Sequence, residues 1–193
     1  MKYSIFNNSS KVGMPMLLLL FFVNLTLLSC GKSKIEEDIN NLMGKRVSVP
    51  SSVFLRYNDV SATYLDSCEY KYVVYLDSTV CSSCTLKNLY YWEVLRDSVA
   101  TLDKNVALVF IYAPSKGETG RFLNDLKNGH EQLLSYVDTS GYFRRENPFI
   151  PDNSNLHAFL LDSNNRIIMV GNAQSNPAVE KLFFHIITDT HEK

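Results

Sequence analysis

Four cysteines stand in this 193-residue chain, and two of them, Cys81 and Cys84, are separated by only Ser82 and Ser83. Two thiols at that spacing can close a disulfide on a single helical turn. They follow an uncharged apolar run, Tyr72 to Leu76, and precede a stretch with helical spacing, so they fall where a buried strand gives way to a helix. Aligned peptide dipoles at a helix start favour a thiolate and lower the pKa of the leading cysteine toward neutral. The chemistry this permits is thiol–disulfide exchange, with Cys81 as the attacking thiol and Cys84 as the resolving one. Two further readings of the pair stay open on the sequence. One is a structural disulfide, and the other is a three-ligand copper site of Cys81, Cys84 and His157, because thiolate and imidazole suit copper.

Cys30 belongs to a different pattern. Lys2 and Lys11 precede an apolar run from Met14 to Leu28, interrupted by Pro15, Asn24 and Thr26, which is the layout of a signal peptide. A spanning helix takes roughly 20 mostly apolar residues; this run is shorter and ends in Ser29-Cys30-Gly31-Lys32. Leu27-Leu28-Ser29-Cys30 resembles a bacterial lipobox. The resemblance implies cleavage before Cys30 and a thioether-linked lipid on it, whose buried methylenes contribute about 0.8 kcal/mol each to membrane attachment. The expected organisation is a leader over 1–29, a polar tether over 30–41 running into a short helix, and one globular domain over 42–193. With 46% hydrophobic residues the chain has material for one core. Outside the leader 17 basic residues face 20 acidic ones. No clustered basic surface of the kind that nucleic acid requires is suggested.

The elements that must position the dithiol follow from periodicity. Val47, Val49, Val53 and Leu55 around Pro50 predict one or two edge strands. Tyr72–Leu76 and Val106–Tyr112 predict buried strands. Between them Leu86, Leu89, Tyr90 and Val94 keep helical spacing, and the stretch continues through Trp92 towards Ala100. Gly120–Asn128 predicts a helix stopped by Gly129. Leu133–Val137 predicts a short strand, followed by turn chemistry at Asp138-Thr139-Ser140-Gly141 and a helical piece from Tyr142 to Arg145. Ala158–Leu161 and Arg166–Val170 predict a hairpin around Asp162-Ser163-Asn164-Asn165. A last helix is capped by Asn176, starts at Pro177 and carries the stripe Val179, Leu182, Phe183, Ile186 and Ile187. The order implies a mixed sheet with helices on both faces, and chemistry at the carboxyl ends of its parallel strands.

Tyr72-Val73-Val74-Tyr75-Leu76-Asp77, Cys81-Ser82-Ser83-Cys84, Val106–Tyr112 and Leu161-Asp162-Ser163-Asn164 resemble the thioredoxin-like superfamily, particularly its membrane-tethered extracytoplasmic thiol-disulfide reductases. Asp138-Thr139-Ser140-Gly141-Tyr142-Phe143 resembles the extra strand-plus-helix segment of the redoxin and alkyl-hydroperoxide-reductase branch. The resemblance covers roughly residues 42–190. It implies a three-layer α/β/α fold with a mixed central sheet and an oxidoreductase anchored by lipid in the bacterial cell envelope, facing the periplasm. It also implies protein thiols or disulfides as partners, a membrane protein as electron donor, and neither nucleotide nor metal as cofactor. The alternative is a non-catalytic envelope lipoprotein of the same fold that binds a partner protein and keeps the disulfide for structure. The family places a cis-proline before the penultimate strand, facing the dithiol. Leu156 occupies that position here, which brings forward His157 as a second neighbour of the active site. Val80 stands where many relatives have tryptophan, and Ser82-Ser83 replaces Gly-Pro. No Pro-x-x-x-Thr-x-x-Cys context precedes Cys81, which speaks against a peroxidase. Cys68 is left over as a small buried residue, and Trp92 reads as core.

Overall fold

A computed structural model of the chain describes residues 33–49, 55–56, 64–79, 89–127 and 133–189. Cys30, Cys81, Cys84 and the leader lie outside the described residues. The chain divides after Glu36 into two units, and the sheet belongs to the second, Glu37–Lys193. The strands are Leu55–Arg56 (β1), Tyr70–Leu76 (β2), Val106–Tyr112 (β3), Leu134–Val137 (β4), Ala158–Leu161 (β5) and Ile167–Val170 (β6). The helices are Lys34–Leu42 (α1), Tyr64–Ser67 (α2), Leu89–Ala100 (α3), Thr119–Lys127 (α4), Tyr142–Glu146 (α5) and Pro177–Thr188 (α6).

The two uncharged runs became the two inner strands, since burial on both faces is what such runs tolerate. The sheet order is β1-β4-β3-β2-β5-β6. β2, β3 and β4 run parallel. β5 returns antiparallel on β2, β6 returns on β5, and the short β1 lies antiparallel to β4. Helices α3 and α4 connect the parallel strands in chain order, and a hairpin followed by a terminal helix closes the chain. This is the thioredoxin-like α/β fold.

Side chains that alternate along the strands feed two cores, one on each face of the sheet. Tyr72, Val74, Leu108 and Phe110 pack with Leu89, Trp92, Leu95 and Val99 of α3, Phe122 of α4, and Phe183 and Ile187 of α6. Val73, Tyr75, Val109 and Ile111 pack on the other side with Leu42 of α1, Leu65 of α2 and Phe143 of α5. Each fully buried Phe or Ile side chain of this kind is worth about 1.5–3 kcal/mol. Three layers result, as the resemblance implied.

One expectation is narrowed and two change. Of the one or two edge strands expected around Pro50, the described residues form one, β1 at the sheet edge. Arg46 forms an isolated bridge with Arg166 beside β6, while Leu55 and Arg56 pair with β4 at the far edge, and 50–54 fall outside the described residues. On α3 the buried stripe is Leu89, Trp92, Leu95 and Val99, leaving Tyr90 and Val94 exposed. Trp92 carries the largest apolar surface in the helix and sets which face turns inward. On α6, Phe183 and Ile187 are buried but Leu182 is exposed, so the apolar stripe is narrower than its spacing suggested.

Candidate redox site

The register of β2 against β5 decides what can face the dithiol. Val74 pairs with Ala158, so β5 begins where β2 ends, and the Tyr75 N–H donates to the His157 carbonyl at 2.8 Å. The segment entering β5 therefore lies at the carboxyl end of β2, the end from which the chain proceeds to Cys81. Where the family has a cis-proline, this chain builds a 3-10 turn over Ser154–Leu156. The Asn153 side chain accepts from the Asn155 N–H, and the Leu156 N–H donates to the Asn153 carbonyl at 2.9 Å. Among the described residues no peptide bond is cis. Leu156 is buried and packs in the core with Tyr75 and Phe143, anchoring the turn by its side chain rather than by ring geometry.

His157 is buried at 2% exposure. Its Nε2 lies 2.8 Å from the Pro151 carbonyl oxygen. A carbonyl only accepts, so Nε2 carries the proton and Nδ1 of the neutral ring keeps a lone pair. Among the described residues that Nδ1 has no hydrogen-bond partner, and it lies 3.8 Å from Asp77 Oδ2. Burial pushes the imidazole pKa down; the Pro151 hydrogen bond and the Asp77 charge pull it up, Arg144 lowers it and Asp152 raises it. The Tyr75 ring sits 5.2 Å from the His157 ring and 4.9 Å from that of Phe143. Burial, helped by the Asp77 charge, pushes the Tyr75 hydroxyl up to about 12, so it stays neutral near pH 7.

The elements behind this network are set by a buried carboxylate. Asp138, at the end of β4, accepts from the backbone N–H groups of Ser140 (3.1 Å), Tyr142 (3.0 Å) and Phe143 (2.8 Å). It closes the open amino end of α5, where Gly141 takes φ 68°. From α5, Arg144 donates to the same Pro151 carbonyl at 3.3 Å and pairs with Asp152. The buried Asn147 then clasps Ser48, accepting from its N–H at 2.8 Å and donating to its carbonyl at 3.0 Å.

Asp77 uses its two oxygens differently. Oδ1 accepts from the Thr79 N–H at 3.0 Å and from the Thr79 hydroxyl, fixing the turn that leads on to Cys81, while Oδ2 faces His157. A cleft of about 430 Å³ adjoins this end of the sheet, lined by Tyr75, Leu76, Leu156, His157, Gly171 and Val179 among others.

Of the residues singled out from sequence, Leu156 and His157 stand together at the carboxyl end of β2, and Cys81, Cys84 and Cys30 lie outside the described residues. Cys68 is buried, with its thiol directed to the Tyr64 carbonyl (3.2 Å) and the Asn105 side chain (3.4 Å), and burial raises its pKa. It precedes β2, a seven-residue strand and thus roughly 20 Å long, at the end away from Asp77. Sequence reasoning gave no role to Asp77, Arg144 or Pro151. Asp77-Ser78-Thr79 did carry a signal, since an Asp two residues before a Thr is side-chain turn chemistry. Among the described residues, no three of His, Cys, Asp and Glu cluster as a metal site requires. Of the copper ligands expected from the sequence, His157 is described, whereas Cys81 and Cys84 lie outside the described residues.

No protein-family model matches the sequence, and no curated protein matches it. Solved structures do. One is described as a candidate thiol:disulfide interchange protein DsbE from Chlorobium tepidum, at 13% identity and TM-score 0.49, covering 63% of this chain and 82% of that one. Yeast Sco1 with copper bound matches at 13% identity and TM-score 0.48, covering 79% and 97%. A domain described as a possible thiol-disulfide isomerase from Cytophaga hutchinsonii matches at 15% identity and TM-score 0.47, covering 75% and 94%.

Proposed function

We propose that this chain is a lipid-anchored thiol-disulfide oxidoreductase of the bacterial cell envelope, facing the periplasm. Cys81 attacks a partner disulfide, and Cys84 resolves the mixed disulfide. One observation carries the reading: the Cys-Ser-Ser-Cys motif begins four residues beyond Asp77, directly after an inner parallel strand of a thioredoxin-like sheet. In open α/β sheets that end of a strand is where chemistry collects. In the forward direction the Cys81 thiolate displaces one partner sulfur, Cys84 then displaces the other, and the partner leaves as a dithiol while Cys81 and Cys84 become the disulfide. A membrane protein supplies the electrons that restore the dithiol. Lipid on Cys30 keeps the domain at the bilayer where that donor sits.

Cys84→Ser tests this directly, because it removes the resolving thiol and leaves the attacking one. The variant accumulates mixed disulfides with envelope proteins through Cys81, the double variant Cys81→Ser/Cys84→Ser accumulates none, and the wild type reduces insulin. A Cys84→Ser protein that captures nothing, beside a wild type inactive on insulin, would favour the second reading, a partner-binding lipoprotein with a structural bridge. That reading draws on Leu156, whose 3-10 turn replaces the proline backbone at which family members dock substrates.

A further inference from the structure

We propose that His157 Nδ1 and Asp77 Oδ2 form a one-proton site whose occupancy depends on whether Cys81 and Cys84 are dithiol or disulfide. This rests on the redox reading above and adds residues to it. Three features of the geometry carry it. First, a buried ring nitrogen without a partner costs free energy, and among the described residues Nδ1 is such an atom. Second, the tautomer is locked. Pro151 holds Nε2–H, and Arg144 from α5 holds Pro151, so an added proton can go only to Nδ1. Third, the partner is poised but not engaged. At 3.8 Å, Asp77 Oδ2 is beyond hydrogen-bond distance, yet a proton on Nδ1 would draw it in. The other oxygen of that carboxylate holds Thr79, two residues before Cys81, so a shift of Asp77 is passed to the backbone leading into the motif.

The groups facing His157 pull in both directions, with burial the largest influence. Burial and the Arg144 cation on α5 oppose a second ring proton, whereas Asp77 at the end of β2, Asp152 and the Pro151 carbonyl favour it; Tyr75 on β2 is neutral. A negative charge added nearby favours the proton. A disulfide is uncharged, and a dithiol with Cys81 as thiolate adds one negative charge four residues along the chain from Asp77. When a partner dithiol reduces the disulfide it gives up two electrons and two protons and leaves as a disulfide. One proton rests on Cys84, and the other rests on the His157–Asp77 site instead of on the Cys81 sulfur. The linkage is reciprocal, so the proton on the dyad in turn favours the Cys81 thiolate.

The test is an NMR titration of the histidine rings in the full chain, oxidised and reduced, with His157→Gln identifying the His157 signals. The His157 midpoint is expected to be higher in the reduced protein than in the oxidised one, and lower in Asp77→Asn than in wild type. In His157→Gln the thiolate absorbance of the reduced protein is expected to appear at higher pH. Equal His157 midpoints in the two redox states of a reversibly cycling wild type would overturn the coupling while leaving the oxidoreductase reading intact. A Cys81–Cys84 pair that cannot be cycled at all would overturn both.

Discussion

At the scale of single residues, burial of His157 has a sign that can be measured. Its imidazole is held below the ordinary value of 6.5, chiefly by desolvation. As pH falls through that value, the unfolded chain takes up a proton that the folded chain refuses, so folding stability declines until the folded-state pKa is reached. His157→Gln keeps a side-chain donor for Pro151 and removes the titration. Urea midpoints of wild type should fall between about pH 7 and pH 5 more steeply than those of His157→Gln. Parallel slopes would contradict the burial argument. His157 itself was legible in the sequence because it follows the position at which the fold places its proline. Its neighbour Asp77 was not, since their approach is made by the β2–β5 register across 80 residues of chain, and nothing local in the sequence encodes it.

Elements were legible where their signal was local. The β3 run Val106–Tyr112 matches its strand end to end, and the Asn176-Pro177 cap starts α6 as expected, with the Asn176 side chain accepting from Ala178 N–H at 3.0 Å. Facing was harder, as α3 and α6 show, because several apolar positions compete for one buried stripe and only packing decides. The joint between β2 and the chain entering α6 was invisible beforehand. Tyr72, on β2, donates through its hydroxyl to the Gly171 carbonyl and accepts from the Ala173 N–H at 2.8 Å. Gly171 takes φ 134°, and a Cβ there would lie 3.1 Å from both methyls of Val179, so strand and helix meet with no room between them. Tyr72→Phe keeps the ring contact with Phe183 but leaves the buried Ala173 N–H and Gly171 carbonyl without this partner. It should cost about 1–3 kcal/mol in urea denaturation. A loss below about 0.5 kcal/mol would mean that the joint is held by ring packing alone.

For the whole molecule, the proposed function divides the work between an amino-terminal leader with a lipidation site at Cys30 and a thioredoxin-like sheet whose chemistry collects at one end. Among the described residues no helix is long and apolar enough to cross a membrane; the proposed attachment is the lipid on Cys30. The fold class was readable because strand and helix runs alternate with little ambiguity, and its chemical end follows from parallel topology. The inserted β4–α5 segment joins that end to the rest of the fold through Asp138, Arg144 and Pro151. Everything functional then turns on whether Cys81 and Cys84 exchange electrons. The most direct measurement is the midpoint potential of that pair in the full chain, equilibrated against glutathione or dithiothreitol buffers. The account predicts a reversible two-electron transition well above about −300 mV, whereas a bridge that resists reduction below that potential would contradict it and mark the disulfide as structural.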